Sequence, residues 1–73
     1  MNLKEVLALN LRRARHAKKL TQEELADLSG LSSRYVGAIE RADVSATVTA
    51  LEQIATALGI EATELLKRSS RAR

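Results

Sequence analysis

Seventy-three residues enclose one small core, which excludes a multidomain enzyme, and the absence of Cys excludes disulfides and thiolate metal sites. Phe, Trp and Pro are also missing and Tyr35 is the one aromatic residue, so an all-α domain built on Leu, Ile, Val and Ala is expected. The net charge of +3 is uneven: Lys4, Arg12, Arg13, Arg15, Lys18 and Lys19 face only Glu5 in the first twenty positions, Lys67, Arg68, Arg71 and Arg73 crowd the last seven, and the stretch between them is acidic. Two basic ends suit either a polyanionic partner or a solubilising surface.

The longest apolar run, Val6 to Leu9, stops at Asn10 and Arg12, far short of the roughly 20 residues that span a bilayer. The N-terminus has no compact apolar region followed by a small-residue cleavage site, so a mature cytoplasmic chain is expected. The apolar period is helical throughout, and Gly, Ser, Thr and Asp cut it into five helices.

Leu3, Leu7, Leu11 and Ala14 form one stripe of a first helix over about residues 3–18. Thr21 with Glu24 reads as a capping box and Gly30 as a left-handed stop, which bounds a second helix at about 22–29. Ser32 caps a third helix running to about Arg41, with Val36 and Ile39 turned inward. Thr47 caps a fourth, whose buried face is Leu51, Ile54, Ala55 and Leu58 and which Gly59 ends. A short fifth helix at about 62–67 is anchored by Leu65 and Leu66, which makes one domain of residues 1–68 and a basic tail of 69–73.

Two short helices joined across Ser29, Gly30, Leu31 and Ser32 make a helix-turn-helix at about 21–41. The run from Leu20 to Arg41, followed by Leu51, Ile54-Ala55 and Ala57-Leu58-Gly59, resembles the phage repressor and Cro type of helix-turn-helix protein, the XRE-like family, over about residues 7–66. Its segment Tyr35-Val36-Gly37-Ala38-Ile39-Glu40-Arg41, and the small size, look most like the controller proteins of restriction-modification systems. The resemblance implies a five-helix repressor-like fold and a sequence-specific DNA-binding regulator, an activator, a repressor or both, located in the cytoplasm on the nucleoid.

With Val36 inward and about 100° of turn per residue, Arg34, Gly37, Ala38 and Arg41 fall on the outer half of the third helix. Gly37 costs about 1 kcal/mol relative to Ala there, so a close approach to another surface, such as a major groove, is expected. Ser32, Ser33, Arg34, Tyr35 and Ala38 are the candidate base-reading residues. Arg34 suits bidentate capture of guanine O6 and N7, or else a phosphate; Ser32 is at least as well read as a plain cap, and Tyr35 equally as a core residue. The resemblance assigns Gln22, beside Thr21 at the second helix's N-terminus, to a DNA phosphate, with Arg41 a further backbone contact. It assigns Arg15 and Glu40 to a structural ion pair. Two departures stand out: Ala42 replaces a glycine common after Glu-Arg, and Val44 a basic loop residue.

Two or three base-reading residues per subunit supply about 2–6 kcal/mol of discrimination where regulators need about 4–10, which predicts a homodimer on an inverted repeat. Val48, Ile60, Leu65 and Leu66 are candidates for the isologous contact, each also suited to burial in the monomer. One His, no Cys and no phosphate loop or metal-ligand spacing argue against an enzyme, and no cofactor or small-molecule effector is expected. The rival readings are a protein-interaction module of the same fold, antitoxin-like or antirepressor-type, and a nonspecific nucleoid binder.

Overall fold

The computed structural model describes residues 1–68, and the tail expected at 69–73 lies outside them. Five helices follow in chain order: α1 Leu3–Ala17, α2 Gln22–Ser29, α3 Ser33–Glu40, α4 Val48–Leu58 and α5 Ala62–Leu65. No strand occurs among the described residues. Side chains written into the sequence start four of the helices. Asn2 and Glu5 form a reciprocal capping box on α1 and Thr21 and Glu24 another on α2, while Ser32 and Thr47 accept the amides of Tyr35 and Ala50.

The ends of α1 to α4 share one geometry. In each, an amide just past the helix reaches back to a carbonyl in the last turn: Leu20 to Arg15, Leu31 to Ala26, Asp43 to Ala38 and Ile60 to Ala55, all at 3.0–3.1 Å. This closure needs a left-handed residue just before the donor. Gly30 and Gly59 fill that place at φ 78° and 71°, but Lys19 and Ala42 adopt φ 58° and 60° despite their Cβ atoms. Leu20, Leu31 and Ile60 then fold back against the core, which fixes the direction of the next segment.

The core is one cluster drawn from all five helices: Leu7 and Leu11 of α1, Leu25 of α2, Val36 and Ile39 of α3, Leu51, Ile54 and Leu58 of α4, and Leu65 of α5. Leu11, Leu25, Ile39 and Ile54 are wholly enclosed. Leu3, expected on the same stripe, is half exposed, and Val6 and Ala8 are buried instead. α1 packs on α3 and α5, α2 on α3 and α4, and α4 on α5. Two half-buried side-chain amides tie the bundle together. Asn10 Nδ2 donates to the carbonyls of Leu65 and Lys67, each at 2.9 Å, and so ties α1 to the end of α5. Gln53 Nε2 donates to the Ser29 carbonyl at 3.1 Å and ties α4 to the end of α2.

Candidate nucleic-acid interface

α2 and α3 pack together across the left-handed turn at Gly30, and this turn presents the first half of α3 to solvent. Ser33 and Arg34 are exposed, and Arg34 has no hydrogen-bond or ion-pair partner among the described residues. Ser32 is exposed as well, but its Oγ already accepts the Tyr35 amide at 3.1 Å, leaving the hydroxyl proton and one lone pair. Tyr35 is half-buried with its ring against the core, and its hydroxyl accepts the Thr47 amide at 3.2 Å. The phenol therefore joins the start of α3 to the start of α4 while its own proton stays free. Ala38 is half-buried one turn further along.

The other half of α3 is clamped. Arg15 Nε and Nη2 donate to Glu40 Oε2 and Oε1 at 2.6 and 2.9 Å, a two-pronged pair whose side chains are only 11 % and 3 % exposed. Arg15 Nη1 donates further to the Leu20 carbonyl at 2.8 Å, so one guanidinium holds α1, the α1–α2 turn and α3 together. Gln22 Nε2 adds a hydrogen bond to Glu40 Oε1 at 3.0 Å. Burial by itself would push the Glu40 carboxyl up. The hydrogen bonds from Arg15 and Gln22, with the positive charges of Arg15 and His16, overcome it and hold Glu40 below the usual carboxylate range. The bond to Glu40 correspondingly raises the Arg15 guanidinium, against the effect of burial.

These contacts revise one expectation and add to another. Gly37 is buried and is not on the open outer face: a Cβ there would stand 3.2 Å from Arg41 Nη1 and 3.4 Å from Gln22 Oε1. The surface close to it belongs to the molecule itself, the flexible ends of the Gln22 and Arg41 side chains, which a Cβ would displace by a few tenths of an ångström. Gln22 uses one of its two amide protons on Glu40 and so supports α3 from α2, with the second proton left over. Thr21 is exposed, with its Oγ1 accepting the Glu24 amide at 3.0 Å. Arg41, also exposed, donates from Nε to Asp43 Oδ2 at 2.9 Å.

Of the residues expected at a subunit contact, Leu65 is 1 % exposed and belongs to the monomer's own core, so its side chain is not on offer to a partner. Ile60 and Leu66 are half-buried against that core, whereas Val48 is 82 % exposed. Val48, Leu51, Ala62, Thr63 and Leu66, with Glu52, line a largely apolar groove of about 410 Å³ between α4 and α5. Sequence reasoning missed the Asn10 and Gln53 anchors and the Asp43 contact; a lone amide on the inward side of a helix was the available signal for the first two.

Residues 11–65 match the helix-turn-helix family model HTH_3. This chain belongs to that helix-turn-helix family. The family is one of DNA-binding transcriptional regulators and not of enzymes, and that is the function class of this chain. It is 41 % identical over 68 residues to the control protein C.SmaI of Serratia marcescens, spanning 93 % of this chain and 81 % of that one. The restriction-modification controller protein C.AhdI of Aeromonas hydrophila superposes with a TM-score of 0.83 at 44 % identity, over 85 % of this chain and 94 % of that one. The hypothetical transcription factor NHTF from Neisseria gives 0.87 at 42 % identity, over 90 % and 76 %. The fold also occurs inside HppE, a larger protein solved with its substrate, of which this chain covers 37 % at 28 % identity and a TM-score of 0.81.

Proposed function

We propose that the protein is a controller-type regulator that binds an inverted-repeat operator as a homodimer in the cytoplasm, with residues 1–68 as its single DNA-binding domain and no catalytic step. The observation that carries this reading is the unpartnered, exposed Arg34 on the first turn of α3, in a helix-turn-helix whose other half is rigidly held. Ser33 and Arg34 read base edges in the major groove, and Ser32 and Ala38 flank them. The free proton of the Tyr35 hydroxyl is positioned for a base edge or a phosphate. Thr21 and Arg41 contact the DNA backbone at the rim, with Gln22 beside them.

The two-fold contact is assigned to the α4–α5 groove, where the exposed Val48 of one subunit meets Leu51, Ala62 and Leu66 of its partner, with Ile60 at the margin. Paired α3 helices then meet the major groove about one helical turn, roughly 34 Å, apart. Selection of bound duplexes from a random library at about 0.15 M salt tests this, run beside Arg34→Ala. An inverted repeat enriched by the native protein and lost with Arg34→Ala is the expected result. No enrichment by a folded protein would falsify the operator reading and favour a protein partner.

A further inference from the structure

Arg41 carries an anion of its own. Its Nε donates to Asp43 Oδ2 at 2.9 Å, and its Nη1 lies over Gly37 beside Gln22. The guanidinium thus rests on the outer side of α3 at the N-terminal end of α2, the edge assigned above to the DNA backbone. Both side chains are about three-fifths exposed, at 62 % and 58 %, so the pair adds little to stability. Its backbone setting is nevertheless fixed: the Asp43 amide is tied to the Ala38 carbonyl at 3.0 Å in the closure that ends α3. That closure keeps the carboxylate two residues from Arg41 and turned toward it. In α1, α2 and α4 the residue at the same place is Leu20, Leu31 or Ile60, each folded onto the core; here alone among them it is an acid.

We propose that Asp43 is a built-in competitor for the DNA phosphate at Arg41, an affinity-limiting residue of the operator contact. A phosphate approaching Arg41 meets a cation already engaged by a carboxylate, and must either displace it or share the guanidinium with it. Arg41 then contributes less than one full phosphate neutralisation, to affinity and to salt dependence alike. The inference rests on the operator-binding reading and concerns the strength of that contact, not which bases are read.

The test measures binding of the selected operator across a salt series for the native protein, Asp43→Asn, Arg41→Ala and the double variant. Asn keeps the shape of Asp and removes its charge. One further neutralised phosphate scales binding as about the inverse 0.9 power of salt concentration. Asp43→Asn is therefore expected to tighten binding by up to about fivefold at about 0.15 M salt and to steepen the log-log slope by up to about 0.9, the part of one phosphate neutralisation that Asp43 withholds. Arg41→Ala weakens binding, and adding Asp43→Asn to it restores almost nothing, because the effect passes through Arg41. Unchanged or weaker binding by Asp43→Asn overturns the proposal. So does equal tightening with and without Arg41, which would make Asp43 a general negative charge near DNA. A native protein that binds no selected duplex overturns the operator reading, and this inference with it.

Discussion

At its C-terminal end α3 is held by part-buried hydrogen bonds to a charged group, where Glu40 takes two donors from Arg15 and one from Gln22 and its side chain is 3 % exposed. At its N-terminal end, one to two turns away, Ser33 and Arg34 face solvent, and the contacts there are a cap on Ser32 and one hydroxyl bond from Tyr35. One eight-residue helix therefore divides its work by position. The far end sets the angle and depth of the helix relative to α1 and α2. The near end carries residues that can change without disturbing the core. On the operator reading proposed above, substitution of Ser33 or Arg34 alone would change the target sequence, whereas substitution in the clamp would disturb the packing of α3.

The largest expected effect comes from breaking the clamp. Glu40→Ala strands the Arg15 guanidinium in a nearly closed site, and removal of one partner from a buried pair costs about 3–5 kcal/mol. Chemical denaturation should show a loss of that size, a large part of the stability of so small a domain. The same pair sets an acid limit. Because Glu40 is held below the usual carboxylate range in the folded protein, its contribution is complete above the unfolded value and is lost as pH falls through the folded one. The stability difference between the native protein and Glu40→Gln should be widest near neutrality and should narrow below about pH 4. Thermal melts of both proteins from pH 7 to 3 measure it, and a constant gap would rule out Glu40 as the titrating group.

Arg34→Ala probes the opposite end and should leave those melts unchanged. It removes a side chain with no partner among the described residues, so the effect falls on DNA: about 1–3 kcal/mol less discrimination at one base pair of each half-site. Competition binding with operators altered at single positions reads this directly. A melting temperature lowered by several degrees would instead give Arg34 a structural role.

Much of this division was legible in the sequence, for physical reasons that differ from place to place. Thr21 with Glu24, Ser32, Thr47, Gly30 and Gly59 act through hydrogen bonds or torsions a few residues long, so local pattern placed α2, α3 and α4 within a residue or so. The Arg15 and Glu40 pairing spans 25 residues and came from family resemblance, not from spacing. Gly37 shows where local reasoning fails. A wheel drawn on α3 alone put it on the outer face, but burial there is decided by Gln22, from α2, and by the long Arg41 side chain folding back. Leu65 and Leu66 are neighbours of one type, and only the packing of α5 against α1 and α4 turns the first into the core and leaves the second at the groove.

The smallest predicted effect tests the seam between the two ends of the molecule, the turn after α3. Ala42 sits at φ 60°, where a Cβ crowds the backbone by about 1–2 kcal/mol, while Gly59 fills the matching place after α4 at φ 71° without that cost. Ala42→Gly relieves the crowding but gives the unfolded chain more freedom, worth about 0.4–1 kcal/mol the other way. The net is a gain of about 0.5–1 kcal/mol, visible as a rise of a few degrees in melting temperature. Gly59→Ala is the reciprocal. A Cβ there meets nothing nearer than Lys18 Nζ at 3.9 Å, so its cost is torsional and should nearly mirror the gain at position 42. If Ala42→Gly destabilises instead, the Ala42 methyl must be doing packing work beside Glu40 and Arg41 that outweighs its torsion. The turn after α3 would then be part of the clamp and not a strained joint between the clamp and α4.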